Sequence, residues 1–384
     1  FRLPRWLRLS RAEGVGPRTF QGLINRFGGA GAALEALPML AAARGRHVRI
    51  PSASEGETEL RQAEKLGIRL LASGEEDYPA RLLEIDGPPP ILAVRGDPLL
   101  LHRKAVALVG ARNASALGRK MAMRLADGLA EAGYLVVSGL ARGIDTEAHR
   151  ASLDRGTVAV LAGGLDKPYP PENEALYNDI CASGAAISEM PLGLSPRGRD
   201  FPRRNRLIAG LSLGVVIVEA ARRSGSLITA RLAAEAGREV MAVPGSPLDP
   251  RAQGCNQLIR DGAMLVQSAA DVIELVTGFT GSPRSTFREA AAGYLPLPDE
   301  LGDQPADIAA LLAGVVLNDD PEPVAAVACE RVAPTQLRLT LTEGKYHQVK
   351  RMIAAVGNRV EALHRAQMGG LALDAALRQG NGAG

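Results

Sequence analysis

Aromatic side chains are scarce: Phe, Trp and Tyr together make up 3% of the 384 residues. That excludes the long aromatic platforms on which many single-strand binders stack successive bases. Cysteine is scarcer still. Cys181, Cys255 and Cys329 stand far apart with no CxxC pair, which argues against a disulfide framework and a zinc site. The five His residues are scattered, so no metal is expected. No run of about 18 apolar residues appears and no signal peptide opens the chain. No membrane association is therefore expected, and the cytoplasm is the expected compartment. The chain opens on Phe1 rather than Met, as a sequence beginning inside its gene product would. An excess of one charge is missing too. Forty-five basic residues against 42 acidic ones leave +3, so any site for a polyanion must be a local patch.

What is present divides into four stretches. Residues 1–72 read as a small helical domain, SAM- or helix-hairpin-helix-like, rich in Ala and Leu. Inside it Glu13-Gly14-Val15-Gly16-Pro17 precedes the periodic Phe20, Leu23, Ile24 and Phe27. That is a helix, a Gly-x-Gly turn and a second helix started by Pro17. Such hairpins can offer backbone N–H groups to phosphate, but so short a motif fits a plain helical bundle better. Residues 73–278 form the main domain, entered through a connector centred on Pro88-Pro89-Pro90. Six short apolar runs, 105–110, 134–139, 157–163, 185–189, 214–219 and 239–244, alternate with helical stretches such as 118–132 and 227–236. Strands apolar on both faces, alternating with helices, predict an α/β fold with a parallel, doubly wound, Rossmann-like sheet. A linker, 279–304, leads to a short α+β segment, 305–384.

In such a sheet ligands bind beyond the carboxyl ends of the strands, where helix N-termini converge. Four loops there carry similar chemistry. The first holds Gly110 and Arg112, with Ser115 and Gly118 leading into a helix; the second runs Ser138-Gly139-Leu140-Ala141-Arg142-Gly143-Ile144-Asp145. The third holds Gly163, Gly164, Lys167 and Tyr169; the last holds Glu219 and then Ser224-Gly225-Ser226. Glycine lets a phosphate approach the backbone, the helix end carries partial positive charge, and Arg or Lys neutralises the anion. Tight turns alone would explain Gly110 and Gly163, but not three cations on one edge. Between the fourth and fifth strands lie Arg197, Arg199, Phe201, Arg203, Arg204, Asn205 and Arg206, five Arg in ten residues with one Asp. They read as an Arg-rich loop ahead of a helix at 207–211, suited to phosphates and one stacked base. No GxGxxG with a closing acid follows the first strand, and no Walker GxxxxGK[ST] occurs. A dinucleotide or other cofactor is not expected.

These loops, taken in order with the Phe201-to-Gly210 segment and Val243-Pro244-Gly245, resemble the signature series of the DNA-processing protein A (DprA/Smf) family. The resemblance covers about residues 1–310. It implies an extended Rossmann-like fold that binds single-stranded DNA, self-associates as a homodimer, and loads the RecA recombinase during natural transformation, with no catalytic reaction. By the same resemblance Gly110, Arg112, Ser138, Gly139, Arg142, Lys167, Phe201, Arg203, Arg204, Asn205, Ser224, Gly225 and Ser226 line the DNA groove. Asp145 and Glu219 order the loops.

Members of that family often end in a small winged helix, whose start a helix expected at 305–313 resembles, but from Gly314 on the tail departs from the family. Gly344-Lys345-Tyr346-His347-Gln348-Val349-Lys350-Arg351-Met352, Gly357-Asn358-Arg359-Val360, Leu363-His364-Arg365 and Gly369-Gly370-Leu371 resemble the distal part of an RsuA-type pseudouridine synthase. A strand is expected at 337–341 and a basic helix at 346–355, suited to RNA phosphates. The Arg-Leu-Asp context of the catalytic carboxylate in those synthases is missing from the chain, so no synthase activity is expected. Two other readings stay open. One is a nucleotide-processing hydrolase using Glu219 and Asp145; the other is an RNA-binding protein acting through the tail.

Overall fold

A computed structural model describes residues 2–277 except 44 and 46, together with 308–317, 320–333, 336–340, 367–368 and 371–372. The chain divides into two units, 1–285 and 286–384.

The first unit is built on nine strands: β1 Ile68–Ala72, β2 Ile91–Gly96, β3 Ala105–Val109, β4 Leu135–Ser138, β5 Thr157–Val160, β6 Ala185–Ser188, β7 Gly214–Ile217, β8 Glu239–Ala242 and β9 Met264–Leu265. They form one sheet in the order β1-β2-β6-β5-β4-β3-β7-β8-β9. Pairing is parallel from β6 through β9, while β2 is antiparallel to both β1 and β6. The six apolar runs all became strands, and the fold is the α/β, mostly parallel sheet that they predict. Val106, Leu108, Val136 and Val216 pack into one core cluster, while Ala107, Val109, Val137 and Val215 pack into another. Alternate residues of the same strands thus face opposite helical layers, as a period of two requires.

Two features were not expected from the sequence. β1 belongs to the sheet, although residues 1–72 read as helical. It follows the helix Ala53–Lys65 through Gly67, whose φ of 65° turns the chain back. The Pro-rich connector likewise contains β2, whose buried Ile91, Leu92, Ala93 and Val94 begin directly after Pro90. Ahead of β1, helices Leu3–Ser10, Pro17–Phe27, Ala30–Ala42 and Ala53–Lys65 share a core in which Trp6 meets Phe20 edge-on at 4.9 Å. Ser52 and Glu55 close a capping box on the fourth helix. Arg11, held by Glu59 of the fourth helix (3.0 Å), fastens this bundle to the sheet by donating to the Glu189 carbonyl (3.2 Å).

Among the described residues the second unit shows a helix Ile308–Ala313 and three antiparallel strand pairs: Val315–Leu317 with Asp320–Val324, Ala328–Ala333 with Gln336–Thr340, and Gln367–Met368 with Leu371–Ala372. The strand expected at 337–341 coincides with Gln336–Thr340. The linker at 279–304 and the basic helix expected at 346–355 lie outside the described residues.

Candidate nucleic-acid interface

The chain starts the parallel sheet at β3, runs outward through β4, β5 and β6, then returns to place β7 on the other side of β3. The switch point therefore lies between β3 and β7, and the loops leaving them diverge to leave a crevice. Glu219, just past β7, spans that crevice. Its carboxylate accepts the Ser115 N–H at 2.9 Å and the Ser115 hydroxyl, while Ser115 Oγ caps the helix Ala116–Glu131 by accepting Gly118 N–H at 2.9 Å. A Cβ on Gly118 would lie 2.6 Å from Glu219 Oε2, so glycine is what admits the carboxylate under the helix.

The loop after β4 is held as firmly. Asp145 accepts the N–H groups of Gly139 (3.1 Å) and Ala141 (3.3 Å), and Asn173 Nδ2 donates to the Leu140 carbonyl at 2.9 Å. Leu140 consequently sits at φ 58°, in the left-handed region that non-glycine residues seldom occupy. Gly143, at φ 76°, passes 2.7 Å from the Arg112 carbonyl at its would-be Cβ, which joins the first two loops. Burial pushes the Asp145 carboxyl above its ordinary range, against the pull of Arg204 and its N–H donors.

The Arg-rich segment is not a loop. The helix Asp200–Leu211 takes in Phe201, Arg203, Arg204, Asn205 and Arg206. Pro202 is its third residue, where the N–H has no intrahelical acceptor and proline is tolerated. Helical spacing sends the three Arg in different directions. Arg204 turns inward. It is buried, donates to the carbonyls of Gly139 (2.5 Å) and Val160, and burial pushes its guanidinium down to about 10. Arg203 is half exposed and reaches Glu189 at 3.0 Å, while Arg206 donates to the same carboxylate and to the Gly87 carbonyl at 2.6 Å.

Set against the expected groove, the residues fall into two layers. Gly110, Arg112, Arg142, Lys167, Phe201, Arg203, Ser224 and Gly225 are exposed or partly so along the carboxyl edge. Arg112 lies over the Phe201 ring, 5.0 Å from its centroid, and Tyr169 meets that ring edge-on at 5.9 Å. Arg142 pairs with Glu172 at the surface. Ser138, Gly139, Arg204, Asn205 and Ser226 are buried. Ser138 Oγ donates to the Leu108 carbonyl at 2.6 Å, and Asn205 Nδ2 reaches the Gly225 carbonyl at 3.4 Å. The side chains of Ser138, Arg204 and Asn205 support the loops from beneath, their donors turned to backbone carbonyls, while the Ser226 hydroxyl meets Ser224 Oγ at 2.7 Å. Reasoning from sequence named Tyr169 in its glycine loop but left it out of the groove set, and it missed Glu189, which carries no signal, since only the fold brings it to two Arg.

Among the described residues no cluster of His, Cys, Asp or Glu is arranged to hold a metal ion. No helix among them is long and apolar enough to cross a membrane.

The first unit is thus a doubly wound, mostly parallel α/β sheet of the Rossmann-like class, with cation-bearing glycine loops at its switch point. Within it, residues 69–277, more than half of the chain, match the family model described as DNA recombination-mediator protein A, and residues 3–62 match a DprA-like N-terminal HHH domain. The chain belongs to the DNA recombination-mediator protein A (DprA/Smf) family. Protein Smf from Synechocystis is 37% identical over 315 residues, covering 78% of this chain and 75% of that protein. The structure of DNA processing protein A from Streptococcus pneumoniae matches with a TM-score of 0.53 at 40% identity, over 58% of this chain and 82% of that one. That of the Helicobacter pylori protein, solved to describe its single-stranded DNA binding mode, matches with a TM-score of 0.50 at 28% identity, over 55% and 95%. The tail is similar to another protein. Ribosomal small subunit pseudouridine synthase A of Escherichia coli is 46% identical over 85 residues, 22% of this chain and 34% of the synthase.

Proposed function

We propose that this protein binds single-stranded DNA along the carboxyl edge of its sheet and, as a homodimer, loads a RecA-type recombinase onto it during DNA uptake. The observation that carries the reading is the outward layer. Arg112 and Lys167 present exposed cations, and Phe201 with Tyr169 offers a small aromatic surface beside them. One base can stack there while phosphates meet the cations and the N–H groups of the glycine loops. Family membership supports the same reading, as does the single-stranded DNA binding described for the Helicobacter pylori relative. Self-association is supported by the outermost strand β9, whose Met264 and Leu265 are 44% and 47% exposed. A binding role, not a hydrolase, is favoured because Asp145 and Glu219 direct their oxygens to loop donors. We assign the tail no synthase activity, since the chain lacks the catalytic Asp context.

The test is fluorescence anisotropy with a labelled oligothymidylate across a salt series. Wild type should bind single strands in preference to duplex, with affinity falling steeply as salt rises. Arg112→Ala/Lys167→Ala should lower the log–log salt slope by about 1.4, at about 0.7 per lost phosphate contact, while stability stays within about 0.5 kcal/mol. Equal slopes for the two proteins would overturn the assignment.

A further inference from the structure

The outward face of the helix Ala116–Glu131 carries charge that neither the core nor the loop edge employs. The side chains of Arg119, Lys120 and Arg124 are exposed and have no ion-pair or hydrogen-bond partner among the described residues. The same holds for Arg222 and Arg223, in the loop that follows Glu219. Because Glu219 is bound to Ser115 and lies against Gly118, that loop leaves the sheet beside the first turn of the helix. The five cations therefore continue the edge on which Arg112 stands.

The order of charge along this helix runs against its dipole. Its first turn holds no acid and its last turn no base. Arg119, Lys120 and Arg124 all precede the acids, Asp127, paired with Arg155 at 3.0 Å, and Glu131. Helices are stabilised by the opposite arrangement; Glu219 supplies one anion at the helix start but forms no ion pair with Arg119, Lys120 or Arg124, whose placement an external anion would account for. Leu117 is 80% exposed amid these cations, an apolar surface with no role in the core. From Ser115 to Arg124 the helix rises about 13 Å.

We propose that a single strand bound at the loop edge continues along this face, with phosphates on Arg119, Lys120, Arg124, Arg222 and Arg223 and a base against Leu117. The inference rests on the single-strand reading above. An acidic protein segment would meet the same charge, but continuity with Arg112 and the glycine loops favours nucleic acid.

The test compares two oligothymidylates, of about 6 and about 20 nucleotides, with the full chain in the same anisotropy salt series. The long strand should show the steeper slope. Arg119→Ala/Lys120→Ala/Arg124→Ala should lower that slope by about 2 and leave the short strand unchanged. Arg222→Ala/Arg223→Ala, in the neighbouring loop and not on the helix itself, should lower it by about 1.4. If both variants match wild type on the long strand while Arg112→Ala/Lys167→Ala still weakens binding, the extension is overturned and the loop edge survives. If Arg112→Ala/Lys167→Ala has no effect on either strand, the single-strand reading falls, and the extension with it.

Discussion

Adjacent residues on one helix, Arg203 and Arg204, belong to different parts of the molecule. Arg204 and its surroundings, Ser138, Asp145, His149, Asn173 and Asn205, make a buried polar layer whose bonds run to loop backbones and to one another. Above it Arg112, Lys167, Tyr169, Phe201 and Arg203 make a layer in contact with water. The lower layer fixes loop shape, including Leu140 in its left-handed conformation. The upper one keeps the charges of Arg112 and Lys167 exposed, while Arg203 is paired with Glu189. A phosphate site needs both, since N–H groups and cations that must be ordered at the moment of binding cost conformational entropy. The difference is testable because damage to the two layers should appear in different measurements.

The largest effect is expected in the lower layer. Arg204→Ala leaves the carbonyls of Gly139 and Val160 without their donor and removes the cation nearest buried Asp145. It should cost about 3 kcal/mol or more in urea denaturation. An unchanged midpoint, with only DNA affinity reduced, would place Arg204 functionally in the upper layer and dissolve the division. His149 gives the next effect. Its Nδ1 meets Thr157 Oγ1 at 2.9 Å, and burial pushes the imidazole down to about 3 from its ordinary 6.5. Between those values the unfolded chain binds a proton that the folded one refuses, so stability should fall as pH drops below about 6.5. The slope attributable to this group approaches about 1.4 kcal/mol per pH unit. Asp145, shifted upward, pulls the other way at the acid end, so the informative comparison is between proteins. His149→Gln should flatten the pH dependence of stability between pH 4 and 6; a curve parallel to wild type would show that His149 is not held neutral.

The sheet was legible in sequence wherever a strand is apolar throughout and bounded by glycine, as β3, β4 and β7 are. β1 was hidden by Arg69 and by the helix running into it, and β2 by the three prolines before it. The loops were legible because turn chemistry is local: Gly110, Gly139 and Gly143 mark close approaches that any fold of this kind must make. Direction was not legible. A run of Arg announces charge, and Pro202 encouraged a loop reading that hid the helical spacing of Arg204 with Ile208 and Leu211. That spacing, i, i+4, i+7, was the available signal that Arg204 faces the core. The contacts of Tyr169 with Phe201 and of Glu189 with Arg203 and Arg206 join segments apart in the chain, and only the assembled sheet supplies them.

The smallest effect sharpens the comparison at the point where the layers meet. Gly118 lies within a helix, where alanine is ordinarily better by about 1 kcal/mol. Here the new methyl would press on Glu219 Oε2 at 2.6 Å. Glu219 cannot simply swing aside, because its oxygens hold the Ser115 N–H and hydroxyl that start the helix. Gly118→Ala should therefore destabilise the protein by about 1 kcal/mol, the overpacking cost exceeding the gain in helix propensity. It should also weaken single-strand binding, since the loop with Arg112 hangs from Ser115. Gly118→Ala/Glu219→Ala separates the two contributions. With the carboxylate gone the methyl has room, so adding it to Glu219→Ala should stabilise that variant in a thermal melt and not cost it further. DNA affinity should stay low in the double variant, because the tie across the crevice is still missing. If the methyl is as harmful without Glu219 as with it, the glycine answers to some other neighbour, and the crevice between β3 and β7 is not closed by this carboxylate.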